Sequence, residues 1–197
     1  MASTDHGASA TRGTARDAVD AQHDRFGGIK WGAAFFGWLS ANGLAVLLVA
    51  LLSAGGVALG LTQGVPSADE ATQQADTIGI AGGIALLVIL FLAYLAGGYV
   101  AGRMARFDGA RQGIAVWVIG LLVVIALSVA GVVLGAEYNV LQQLNLPRIP
   151  IDEGTATTAG IIALVAVLIV TLLGAVLGGR LGTRYHRKVD RAGFDAA

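Results

Sequence analysis

The sequence predicts an all-α membrane protein with four transmembrane helices. Hydrophobic residues make up 55% of the 197-residue chain and charged residues only 13%, whereas a soluble domain carries about a quarter charged residues. Four apolar runs exceed the length of about 18 residues that indicates a membrane span. They cover residues 31–61, 77–101, 113–136 and 156–181.

Residues 1–25 precede the first run and are small, polar and charged. Such a segment buries too little apolar surface to offset its ordering entropy, so it predicts a disordered tail, with a weak helical pattern over 14–25. No secretory signal pattern lies in the first thirty residues, so we expect the first span to stay as an uncleaved anchor. A second, short basic tail covers residues 188–197.

The first span is longer than a bilayer requires. A helix over 31–61 would extend about 46 Å, against a hydrocarbon core of ~30 Å. We therefore expect it to tilt, to protrude, or to end or bend near Gly55, Gly56 and Gly60.

The basic residues predict the orientation. All of them except Arg148 precede the first span, follow the fourth, or lie in the loop between the second and third. By the positive-inside rule both termini are then cytoplasmic, in a multi-pass protein of the cell membrane.

The chain reads as a tandem duplication of a two-helix hairpin, with copies at 26–106 and 107–187. The pattern F-x-G-x-[K/R]-x-G opens the copies at Phe26 and Phe107, and GG-x4-R-x2-R closes them from Gly97 and Gly178. Two copies of equal orientation imply a pseudo-two-fold axis along the membrane normal. The alternative is that arginines and glycines recur at the ends of any membrane span.

Glycines four residues apart predict where the helices pack, because lipid-embedded helices associate where small residues let their backbones approach. The pairs of interest are Gly98 with Gly102 and Gly178 with Gly182. Asn42 is the most polar side chain in the first span, and we expect it to hydrogen-bond to another helix.

The spans lack the groups that catalysis or ion coupling needs. No Asp, Glu, Lys, Arg or His lies at membrane depth, and the chain has no Cys. We therefore predict no catalytic, metal or cofactor site and no enzymatic activity. The Gly-rich stretch at Gly97 lacks the Lys-Ser/Thr of a phosphate-binding P-loop.

The C-terminal cations share a helical spacing. If the fourth span continues as a helix, positions i, i+4, i+7, i+8 and i+11 fall on one face. We predict that this face, the basic stripe, contacts lipid headgroups; its members are Arg180, Arg184, Arg187, Lys188 and Arg191.

The stretch GGYVAGRMARFDGARQG at residues 97–113 resembles a motif of small four-span bacterial membrane proteins of unknown function. The motif is GG-[aromatic]-V-A-G-R followed by a basic loop and G-x-x-x-G. The resemblance implies the four-span fold and a bacterial inner-membrane location, and it implies no mechanism. The long N-terminal tail and the extended first outer loop depart from the smaller members.

Two classes of function follow. The first is a non-enzymatic membrane component that organises a partner or the local bilayer. The alternative is a small pore or facilitator between the two repeats, lined by Asn42, Ser128 and Thr171. The predicted partners are membrane lipids, with a membrane protein or a second copy of the chain as further candidates, and no nucleic acid.

Overall fold

The computed structural model describes residues 17–63, 75–138 and 153–195, and nearly all of them are helical. The helices are α1 over 17–26, α2 over Trp31–Gln63, α3 over Ala75–Ala105, α4 over Gly109–Tyr138 and α5 over Glu153–Asp195. The described residues contain no strand. The predicted all-α class is confirmed.

Four helices are long and apolar enough to cross a membrane. The candidate spans are Trp31–Gly56, Gly79–Ala105, Gly109–Gly131 and Gly160–Tyr185, with mean hydropathies from 2.0 to 3.0. Large aliphatic side chains along all four are exposed, as suits helices that face lipid. The predicted number of spans is confirmed.

Two expectations about the N-terminal third are wrong. The disordered tail predicted over 1–25 is helical from residue 17, where α1 begins, while residues 1–16 lie outside the described part. The first span does not end at its glycines, because α2 is one helix to Gln63. An α-helix satisfies its own backbone hydrogen bonds in lipid, so glycine does not have to interrupt it.

Packing is concentrated at one end of the bundle, the end that carries α1 and the α3–α4 loop; we call it the basic end. The buried core there contains Ala34, Ala101, Ala115 and Val116, with Trp38 packed against it. In the half farther from this end, the described side chains at 49–56, 79–84, 124–131 and 161–165 are all exposed. The four helices therefore contact one another mainly near the basic end.

The parallel helices α3 and α5 make the most extensive contact. A Cβ placed on Gly98 would overlap the backbone of Ala175, and one on Gly178 would overlap the backbone of Leu95. Gly102 and Gly182 are equally close to Gly179 and Tyr99. The missing side chains allow this approach.

The contacts bear on the predicted duplication in two ways. The residues that meet between α3 and α5, Gly98 with Ala175 and Leu95 with Gly178, are separated by numbers of residues that lie just below and just above the repeat offset. Within the hairpins, however, Gly37 meets Gly97 in the first, whereas Gly113 meets Ala175 in the second, and these pairs are not equivalent. The duplication stays a prediction.

Candidate functional site at the basic end

The loop between α3 and α4 has only three residues, 106–108. Arg106 and Asp108 have φ angles of 61° and 53°, in the left-handed region that few non-glycine residues adopt. The N–H of Phe107 donates to the carbonyl of Ala105 at 2.7 Å. The tight turn ends α3, reverses the chain and places Asp108 immediately before α4.

Asp108 joins three segments of the chain. One carboxylate oxygen accepts a hydrogen bond from the backbone N–H of Gly28 at 2.8 Å and lies 3.1 Å from Nε2 of His23. The other oxygen lies 3.6 Å from the guanidinium of Arg111, and the Asp108 side chain is 15% exposed. The end of α1 and the joint before α2 are thereby held against the α3–α4 loop.

These contacts stabilise the ionised carboxylate. The hydrogen bond from Gly28 contributes most to lowering the pKa of Asp108 below its usual value, and His23 and Arg111 lower it further. Burial of the carboxylate opposes them and raises the pKa, but the net direction is down. Asp108 is therefore charged wherever the protein is studied near neutral pH.

Gln112 provides a second link to the same joint. The side chain is fully buried, and its Nε2 donates to the carbonyl of Gly28 at 3.2 Å. Gly28 has a φ of 87°, a conformation that favours glycine. Its N–H and its C=O are thus both bonded to side chains at the start of α4.

His23 also packs its ring edge-on against Phe107, with ring centroids 5.3 Å apart. This contact and the Asp108 bond give α1 tertiary partners that a segment so poor in apolar residues lacks by itself. We ascribe the ordering of residues 17–26 to them.

An open groove of about 460 Å³ lies between α1, the α3–α4 loop and α5. Its polar and charged lining residues are Asp20, His23, Arg106, Asp108, Arg180 and Thr183. Thr183 is buried and donates its hydroxyl within α5, to the carbonyl of Arg180 at 3.1 Å. The groove is the mixed-charge cavity of the basic end.

A cation–π contact joins α3 to α5 near the groove. The guanidinium of Arg103 lies 4.1 Å from the ring centroid of Tyr185. Both residues belong to the last turns of their candidate spans. The contact fixes the two helix ends relative to each other at the level where the spans end.

The predicted packing residues have different positions. Gly98, Gly102, Gly178 and Gly182 lie in the contact between α3 and α5. The interhelical bond expected of Asn42 is not formed: its exposed side chain donates to the carbonyl of Trp38 in the same helix, at 2.9 Å. A side-chain amide can satisfy its donor on its own preceding turn.

The interhelical hydrogen bond at membrane depth is made elsewhere. Nε1 of Trp117 in α4 donates to the hydroxyl of Thr171 in α5 at 3.1 Å, and that hydroxyl donates to the carbonyl of Val167 at 2.6 Å. Thr171 is buried and paired, whereas Asn42 and Ser128 are exposed. The groove at the basic end includes none of the three residues predicted to line a pore.

The C-terminal stripe lies on a continuous helix, since α5 runs through residues 180–191 to Asp195. Arg180 and Arg184 are exposed. Helical register puts all five cations within about 100° of arc.

Sequence reasoning missed Asp108, His23, Gln112 and the Trp117 indole as contact residues. Gln112 carried a usable signal, as a polar residue directly before a long apolar run. Among the described residues no cluster of His, Asp and Glu could hold a metal ion. No protein family, curated protein or solved structure matches the chain.

Proposed function

We propose that this chain is a non-enzymatic, multi-pass protein of a cell membrane that organises the local bilayer at a cytoplasmic basic end. The observation that carries the proposal is the unbroken course of α5, which extends beyond its candidate span at Tyr185 to Asp195. The helix gives the five cations of the basic stripe one common face. In a cytoplasmic leaflet each such cation contributes about 1 kcal/mol toward binding anionic lipid.

The bilayer is favoured over a partner helix by the glycine contacts. The pairs Gly98 with Gly102 and Gly178 with Gly182, which are the residues suited to receive a partner helix, are already covered by contacts within the chain. The exposed cations at Arg180 and Arg184 remain accessible. Anionic headgroups fit this surface by charge.

The test rearranges the stripe without changing composition. Exchanging Lys188 with Val189, and Asp190 with Arg191, moves two cations off the stripe and one carboxylate onto it. We expect the purified full chain in detergent to bind phosphatidylglycerol roughly tenfold more weakly, since about 1 kcal/mol is lost per displaced cation. Native mass spectrometry counts the bound lipids.

The matched control is Lys188→Arg combined with Arg191→Lys, which keeps both charges in place and should bind like the unaltered chain. Equal lipid binding by the rearranged and the control variants would reject the stripe as a lipid-binding face.

A further inference from the structure

The groove lies where lipid headgroups would lie. The second candidate span ends at Ala105, the third begins at Gly109 and the fourth ends at Tyr185. The groove is lined by residues directly at these ends, including Arg106, Asp108 and Thr183. Its volume of about 460 Å³ falls in the range of small-molecule sites, roughly 300–1,000 Å³.

The groove contains charges of both signs. Arg106 and Arg180 contribute two cations, while Asp20 and Asp108 contribute two carboxylates. The Asp108 carboxylate is engaged by the N–H of Gly28 and by His23. Asp20, by contrast, is exposed on α1, so its carboxylate is accessible to a ligand.

This balance of charge distinguishes among headgroups. A purely anionic headgroup would find cations in the groove but would also face the Asp20 carboxylate, which repels it. A zwitterionic headgroup can place its phosphate near Arg106 and Arg180 and its cation near Asp20. Charge-assisted hydrogen bonds then form at both ends of the ligand.

We propose that the groove binds a phosphate joined through two carbons to a primary ammonium, the headgroup of phosphatidylethanolamine. The phosphate contacts Arg106 and Arg180, and the ammonium contacts Asp20 at the C-terminal end of the polar wall formed by α1. The lipid source rests on the proposed placement of the basic end at the membrane surface. The basic stripe binds by charge alone, whereas the groove selects one headgroup.

A primary ammonium fits Asp20 better than the quaternary ammonium of choline. The primary ammonium has three N–H donors for a carboxylate, and choline has none. Phosphatidylglycerol carries the phosphate without a cation. The three lipids therefore separate the contribution of the phosphate from that of the N–H donors.

The experiment compares these lipids on the purified full chain. Phosphatidylethanolamine, phosphatidylcholine and phosphatidylglycerol of identical acyl chains are added singly at equal concentration, and native mass spectrometry measures the bound fraction. We expect phosphatidylethanolamine to bind about three- to tenfold more tightly than phosphatidylcholine, the range for a charge-assisted hydrogen bond at a partly exposed site. Asp20→Asn should remove that preference.

Asp24→Asn is the matched control, because Asp24 lies one turn farther along α1 and does not line the groove. It makes the same change of charge and should keep the preference. Loss of the preference in both variants, or in neither, would overturn the assignment of Asp20. Equal binding of phosphatidylethanolamine and phosphatidylcholine by the unaltered chain would overturn the proposal itself.

Free phosphoethanolamine identifies the source of the headgroup. In isothermal titration we expect it to bind far more weakly than the lipid, and equal affinity would overturn the lipid assignment. The stripe rearrangement should reduce binding of phosphatidylglycerol and keep the ethanolamine preference, so the stripe and the groove can fail separately.

Discussion

The backbone N–H of Gly28 donates to the carboxylate of Asp108 at 2.8 Å, across 80 residues of sequence. This bond joins the segment before the first span to the turn between the second and third. Gln112 bonds the carbonyl of the same glycine. The N-terminal helix α1 is therefore attached to the bundle through one residue whose two backbone groups are both engaged.

The first prediction concerns that attachment. Asp108→Gly removes the carboxylate and tolerates the left-handed φ, so its effect reports the lost contacts without added backbone strain. We expect a loss of about 1–3 kcal/mol in the free energy of unfolding, because the Gly28 N–H is left without its acceptor. Unfolding of the purified chain in mixed detergent micelles, followed by circular dichroism, measures it.

Hydrogen exchange gives the local readout, since the Gly28 amide should exchange faster in Asp108→Gly. Asp108→Asn keeps an acceptor oxygen and should fall between the two. Unchanged exchange at Gly28 in the glycine variant would contradict the role assigned to Asp108.

The second prediction is a pH dependence. The folded-state pKa of Asp108 is lowered from its ordinary value of 3.8. The contribution of the carboxylate is then fully present above about pH 4 and is lost as the pH falls through the lowered pKa. We expect the stability difference between the unaltered chain and Asp108→Asn to shrink as the pH is lowered from 5 to about 2. A difference that grows on acidification would give the wrong sign.

The third prediction tests the glycine contact. Gly98→Ala should cost about 1–3 kcal/mol, because its Cβ overlaps the backbone of Ala175. Gly82→Ala lies in the same helix with nothing within 4 Å, so we expect it to be neutral or stabilising. Equal effects of the two substitutions on unfolding in detergent would show that the α3–α5 contact does not depend on the missing side chain.

The fourth prediction concerns the bond between Trp117 and Thr171. Thr171→Val removes the acceptor of the indole N–H, and Thr171→Ser retains it. A double-mutant cycle with Trp117→Phe should give a coupling free energy of about 0.6–1.7 kcal/mol, the range for hydrogen bonds between membrane helices. A coupling near zero would show that the 3.1 Å contact adds nothing to stability.

The fifth prediction concerns orientation and follows from the distribution of basic residues. Single cysteines at Ser67 and Thr155 should react with a membrane-impermeant thiol reagent in intact cells, and one at Ala110 should react only after lysis. The chain has no natural cysteine, so the background is low. Labelling of the Ala110 variant alone would reverse the proposed topology.

The sequence by itself determined the class of this protein, its four spans and the segments that carry its charge. Those properties depend on the length and composition of single segments: an apolar run longer than a bilayer is thick, such as the one preceding Arg103, forms a helix in lipid whatever its neighbours are.

Tertiary structure decided which polar groups meet. Asn42 bonds to its own helix, while Thr171 finds the indole of Trp117 in α4. Residues 17–25 are polar enough to predict disorder, yet they are helical beside Asp108. A hydrogen bond depends on the separation of two atoms in space. Positions 28 and 108 come within bonding distance only after α2, α3 and the turn between α3 and α4 have packed, so no local pattern could show that they meet.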